Sequence, residues 1–111
     1  GGRVQERTET VLEVGAIRLD DRSKEVYVDG ERVSFTPTEY EILKLLMQHE
    51  GAVLSPKDIY RQVWNDAPYG AESTVAVHIR HIREKIEIDP AQPRYLKVVW
   101  AQGYKLEGGG K

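Results

Sequence analysis

Apolar residues in the first third of the chain recur at every second position. Leu12, Val14, Ile17 and Leu19, interrupted at Gly15-Ala16, are followed by Val26 and Val28, then by Val33 and Phe35. This alternation predicts short antiparallel strands with one buried face. Asp29-Gly30 separates VYV from RVSF. Asp-Gly suits a type I′ turn, in which both central residues need positive φ, so the segment is read as a hairpin.

From Thr36 the apolar period lengthens to that of a helix. At Thr36-Pro37-Thr38-Glu39, Thr36 can cap, Pro37 fills the first turn without losing a needed donor, and Glu39 can return a bond to the cap backbone. The core face is Tyr40, Leu43, Leu46 and Met47, helped by Ile42, and Gly51 ends the helix. Ser55-Pro56-Lys57-Asp58 repeats this start signal ahead of Ile59, Tyr60, Val63 and Trp64. Asn65–Glu72 (NDAPYGAE) is a loop by its Pro, Gly, Asn and Asp content, longer than the connector of a tight helix-turn-helix. In the third helix, Ser73–Ile86, the residues Val75, Ile79, Ile82 and Ile86 form one narrow apolar stripe that must face a core.

Asp89-Pro90-Ala91-Gln92-Pro93 breaks that helix. Tyr95–Trp100 is a β-rich run, and Gln102-Gly103 turns it back into Tyr104–Leu106. The expected class is therefore α+β: an N-terminal antiparallel β-sheet, a three-helix core and a C-terminal β-hairpin wing, a winged helix-turn-helix. There is no βαβ unit and no solenoid repeat. Residues 1–10 are polar, without period and without an initiator Met, so they are read as a linker that something preceded. Residues 11–107 are the domain and 108–111 a flexible tail.

The chain's 111 residues, 40% hydrophobic, suit one compact domain with a modest core. With no cysteine, neither a disulfide framework nor a thiolate metal site is available, and a reducing cytoplasm is the expected location. The apolar runs are too short and too charged to span a bilayer, and no signal-peptide layout is present. Net charge is −2, which by itself argues weakly against a nucleic-acid partner. Its distribution reverses the argument. Residues 1–72 hold nine Lys/Arg against fourteen Asp/Glu, whereas 73–105 hold six against three. Beyond about 8 Å at physiological salt the distant acids are screened, so one basic face can still meet a polyanion.

That face belongs to the third helix. Outside its apolar stripe it displays Ser73, Ala76, Val77, Arg80, His81, Arg83 and Glu84, with His78 and Lys85 at one border. Short side chains let a helix approach base edges, while Arg and His supply donors to guanine acceptors and phosphate oxygens. The segment is read as a DNA recognition helix, against the plainer alternative of a solvated face.

Four segments in order, VDGERVSFTPTEYEILKLL (28–46), LSPKDIYRQVW (54–64), STVAVHIRHIREKI (73–86) and YLKVVWAQGYKLE (95–107), resemble the C-terminal effector domain of OmpR/PhoB-type bacterial response regulators. The resemblance implies sequence-specific binding to double-stranded promoter DNA at tandem half-sites. It also implies an absent receiver domain phosphorylated by a sensor kinase, and contact between the 65–72 loop and RNA polymerase. Within that loop the polymerase contact is expected at Asn65, Asp66, Ala67, Pro68, Tyr69 and Gly70. Carried over by position, Ala76, Val77 and His81 would read bases, joined by Arg80, which matches a phosphate ligand of relatives. Ser73, Thr74, His78, Arg83, Lys97, Tyr104 and Lys105 would meet the DNA backbone, with Trp100 and Gln102 in the wing. The sequence departs from relatives at Ala76, often an acid, and at His81, often Arg. In the wing, Trp100 and Ala101 replace an Arg and a Gly.

Other chemistries fit less well. His78, His81 and Glu84 have a spacing that could ligate zinc, but no fourth ligand lies nearby in sequence. Ser55 and Ser73 sit in capping contexts and no phosphate-cradling glycine loop appears, so no enzyme, metal or cofactor is expected. Trp64 and Trp100 are read as structural, each closing an apolar stripe, and Arg32 and Arg94 as solvated charges. A winged helix that binds protein instead of DNA is the rival reading. The isolated domain is expected to be monomeric and to need no membrane.

Overall fold

A computed structural model describes residues 11–108; the segment read as a linker, 1–10, and the end of the tail, 109–111, lie outside the described residues. Among the described residues the chain opens as a four-stranded antiparallel meander: β1 (Val11–Val14), β2 (Ile17–Asp20), β3 (Glu25–Val28) and β4 (Glu31–Val33). Val14, Ile17, Leu19 and Val26 point inward and are buried. Glu13, Arg18, Tyr27 and Arg32 stand opposite one another across the other face, so the alternation read from the sequence fixes the register. Asp29 and Gly30 have φ of 53° and 82°, the signs that a type I′ turn demands.

Helix α1 (Pro37–Gln48) starts with the expected capping box. Thr36 Oγ1 accepts from the Glu39 amide at 3.2 Å, and the Thr36 amide donates to Glu39 Oε1 at 3.1 Å. Helix α2 (Pro56–Trp64) is capped by Ser55, whose hydroxyl accepts from the Asp58 amide at 3.1 Å, and stops at Asn65 in the left-handed region. Helix α3 (Ala71–Ile86) begins two residues before the expected Ser73, and the connecting loop shrinks to 65–70. Its cap is Gly70 with φ 61° and no side-chain bond, and Ala71 is buried. The early start follows from that burial, since a helical Ala71 adds apolar area to the core.

The three helices pack on one another, with α1 also against β1. Ile42, Leu43, Leu46, Ile59, Val75, Ile79 and Ile82 supply the centre of the core. Asp21, in the β2–β3 turn, ties the sheet to α1: it accepts from Tyr40 Oη at 2.6 Å and from Lys44 Nζ at 3.3 Å. With a further bond from Lys24, these contacts hold its carboxyl down at about 2.

The wing consists of β5 (Leu96–Val99) and β6 (Gly103–Leu106). Leu54 adds a bridge to Tyr104, with amide–carbonyl bonds of 2.8 and 2.9 Å. Gly103 has φ 150°, and a Cβ there would fall on the Leu54 carbonyl, so this approach requires glycine. The wing is fastened to the end of α3 by Glu87, 7% exposed. Its Oε1 accepts from the Arg94 amide at 2.7 Å, and its Oε2 accepts from the Tyr95 and Leu96 amides at 2.9 and 2.8 Å. Tyr95 also touches the sheet, accepting from the Ala16 amide through its hydroxyl.

Candidate nucleic-acid interface

Burying Val75, Ile79, Ile82 and Ile86 turns the opposite side of α3 outward. At 100° per residue, Ser73, Val77, Arg80 and Glu84 form the outermost column, with Ala76 on one shoulder and His81 on the other. Ser73, Val77, Arg80, His81 and Glu84 are exposed, and Ala76 is half-buried between them. The four expected base readers thus share one continuous surface. Val77 is 52% exposed, an isolated apolar side chain facing water. Nothing in the packing of the core accounts for it there. Against DNA it would suit a thymine methyl group.

The borders of α3 have distinct neighbours. On one side Arg83, half-buried, donates from Nε to the Leu96 carbonyl at 3.2 Å and braces the wing against the helix. The expectation of a phosphate contact therefore gains a second, structural duty, while the rest of the guanidinium keeps its donors. On the other side Thr74, His78 and Lys85 run toward the start of α1. Lys85 Nζ lies 2.6 Å from Glu39 Oε1, and His81 Nδ1 lies 3.3 Å from Glu39 Oε2. Glu39 is only 3% exposed. Burial alone would raise its pKa, but the bonds from Lys85 and the Thr36 amide outweigh this and lower it.

The zinc constellation considered from the sequence changes composition. Glu84 faces Arg80 at 3.6 Å, and it is Glu39 that joins His78 and His81, their candidate ligand atoms lying within 4.8 Å of one another. The Lys85 ammonium on the same carboxylate repels a cation, so the cluster is better described as an ion-paired corner. The His78 ring tilts against Trp64 at 5.7 Å, and among the described residues its buried Nδ1 has no partner.

Trp64 fulfils its structural assignment, stacking on Tyr60 at 4.8 Å and packing on the core. Trp100 does not. It is 87% exposed at the wing tip, beside Ala101 with φ 65°. The stripe it was expected to close runs out because, among the described residues, nothing covers the end of the two-stranded hairpin projecting from the core; Val98 is likewise exposed. Gln102 is exposed next to it, and Tyr104 is half-buried against the core. Lys97 and Lys105 both reach Glu107, at 2.9 and 3.5 Å. A cleft of about 220 Å³, bordered by Glu72, Pro56, Val98 and Gln102, separates the wing from the first turn of α3. Arg32 pairs loosely with Glu25, and Arg94 is exposed over the Tyr95 ring.

In the loop, Asp66 caps the Ala67 amide at 2.8 Å, Pro68 is half-buried and Tyr69 is 87% exposed. Ala71 and Glu72, counted with the loop on sequence grounds, belong to α3. Sequence reasoning missed Glu87 and the tertiary partners of Glu39. No local pattern distinguishes a buried Glu after a helix end from a solvated one.

A helix presenting small and cationic side chains outward, preceded by a second helix and flanked by a braced β-hairpin, defines the winged helix-turn-helix class of nucleic-acid-binding domains. Residues 30–106 match the family described as "Transcriptional regulatory protein, C terminal". The chain belongs to this family, as a DNA-binding domain of the OmpR/PhoB type and not an enzyme.

Among curated relatives it is 35% identical to the regulatory protein VanR of Enterococcus faecium, over 94% of this chain and 46% of that protein. It is 39% identical to the DNA-binding dual master transcriptional regulator RpaA of Synechocystis, over 90% and 44%. The chain thus spans a little under half the length of these relatives. In structure it resembles the response regulator DrrB of Thermotoga maritima, an OmpR/PhoB homologue, with TM-score 0.82 and 31% identity over 96% of this chain and 50% of that one. It also resembles the DNA-binding domain of CpxR from E. coli, with TM-score 0.77 and 27% identity over 90% and 98%. Among the described residues no helix is long and apolar enough to cross a membrane.

Proposed function

We propose that the domain binds promoter DNA sequence-specifically, with α3 in the major groove and the wing on the adjacent backbone and minor groove. The observation that carries this reading is the outer face of α3, where Ser73, Ala76, Val77, Arg80 and His81 stand opposite a fully buried stripe. Ala76, Val77, Arg80 and His81 read bases. Ser73, Thr74, His78, Arg83, Lys97, Tyr104 and Lys105 hold phosphates, and the surface ion pairs of Arg80, Lys97 and Lys105 are weak enough to be exchanged for them. Trp100 and Gln102 at the wing tip meet the sugar walls.

The 65–70 loop, with Tyr69 fully presented, is the surface offered to RNA polymerase. A receiver domain phosphorylated by a sensor kinase would pair two such domains on tandem half-sites, raising avidity by about 10² or more. The isolated domain is then a monomer, and it acts in the cytoplasm. The test is retention on a mixed-sequence DNA column under a salt gradient. The net charge of −2 and the two fully exposed aromatics, Tyr69 and Trp100, favour a protein-binding winged helix, which should flow through that column.

A further inference from the structure

Among Ala76, Val77, Arg80 and His81, only the imidazole can present either a donor or an acceptor, so the base it selects depends on which nitrogen carries hydrogen. At His81 the neighbouring groups decide. Its Nδ1 lies 3.3 Å from Glu39 Oε2, while the other oxygen of that carboxylate is taken by Lys85 Nζ and the Thr36 amide. Glu39 is buried at the first turn of α1 and cannot turn away without breaking its capping box. Its lowered pKa keeps it ionised at neutral pH.

A nitrogen lone pair 3.3 Å from a carboxylate oxygen is repulsive, so in the neutral ring Nδ1 carries the hydrogen and Nε2, across the ring, keeps its lone pair. The side chain is 48% exposed, which leaves it access to solvent. The remaining neighbours do not reverse this. Lys85 is engaged by Glu39, Arg80 and Glu84 face each other, and the His78 ring is packed on Trp64.

We infer that Glu39 is a positioning residue for His81, fixing its Nδ1–H tautomer so that Nε2 accepts from the amino group of cytosine or adenine in the major groove. This rests on the reading of α3 as a base-reading helix. It reverses the expectation that His81 donates to guanine, because guanine shows only acceptors, O6 and N7, in that groove.

Two measurements test it. Nitrogen-15 NMR of the imidazoles, of which the chain has only His49, His78 and His81, reads the tautomer directly in the free domain. At neutral pH the Nδ1–H form is expected for His81, and either the Nε2–H form or the doubly protonated ring would overturn the inference. Selection from a randomised duplex pool reads the base. Wild type should favour cytosine or adenine over guanine about fivefold or more at one position, a position that His81→Ala flattens and His81→Arg converts to guanine. Glu39→Gln, which the capping box tolerates, should erase the preference at that position alone. Guanine in the wild-type profile, or a position indifferent to Glu39→Gln, sinks the inference while leaving DNA binding standing. A pool that yields no enriched sequence sinks base reading by α3 itself, and this inference with it.

Discussion

Replacing Glu87 by Gln is the most informative single perturbation of the scaffold, because one buried carboxylate holds three backbone amides where α3 hands over to the wing. Gln offers one acceptor oxygen in place of two. If that oxygen takes the position of Oε2, it keeps the buried Tyr95 and Leu96 amides but bonds them without the charge. The new NH2 then faces the Arg94 amide, donor against donor. Bonds to a charged acceptor contribute about 1.5–3 kcal/mol each, and an unsatisfied buried donor costs about 1–3 kcal/mol. Arg94 lies at the surface and its amide can turn to water, so the net loss should be about 2–4 kcal/mol. In a domain of this size each kcal/mol lowers Tm by about 4–8 °C, giving a fall of at least about 8 °C. Circular-dichroism melts and urea titrations of the two proteins measure it. DNA affinity should be compared well below both transitions. A loss under about 0.5 kcal/mol would refute the claim that these three bonds fasten the wing.

Asp21→Asn should flatten the acid limb of stability. The Asp21 carboxyl is depressed to about 2, so its contribution is present above the ordinary carboxylate pKa and disappears as pH falls from about 4 toward 2. The shift corresponds to about 2 kcal/mol at most, and urea titrations at pH 7 and pH 3 should differ less for the variant than for wild type. Gly103→Ala should destabilise by about 2 kcal/mol or more, since its Cβ meets the Leu54 carbonyl and its φ is unfavourable; a variant melting with wild type would mean that the strand contact yields easily. Arg83→Ala should lower affinity for all duplexes alike and reduce the salt slope by about one unit, and an unchanged slope would leave Arg83 only as the brace of Leu96. Asp66→Ala with Tyr69→Ala should spare DNA binding and reduce transcription in vitro; equal losses of both would place the loop in the fold or in the DNA interface.

The parts legible from sequence are those whose cause is local. The Thr36 and Ser55 caps, the Asp29-Gly30 turn and the stripe of α3 each rest on neighbours within one turn or one hairpin, and the structure reproduces them. The start of α3 was misplaced because Ser73 resembles a cap, whereas the true boundary is a left-handed Gly70 that bonds nothing through a side chain. Trp100 departs from its expected burial because apolar alternation predicts burial only where a second layer covers the strand, and among the described residues no layer reaches the wing tip. Glu39 was legible as a capping residue, but its contact with Lys85 joins residues 46 apart in sequence. The corner that orients His81 is tertiary, and with Glu87 it forms the part of the interface that periodicity does not carry.

The central claim is that α3 and the wing form one DNA-binding face on an otherwise acidic domain. It is tested most directly by fluorescence anisotropy of a labelled duplex pool titrated with the domain at several salt concentrations. The account predicts saturable binding at low salt that weakens as a straight line of log affinity against log salt, with a slope set by several phosphate contacts. Absence of binding at low salt by a domain that circular dichroism shows to be folded would contradict it.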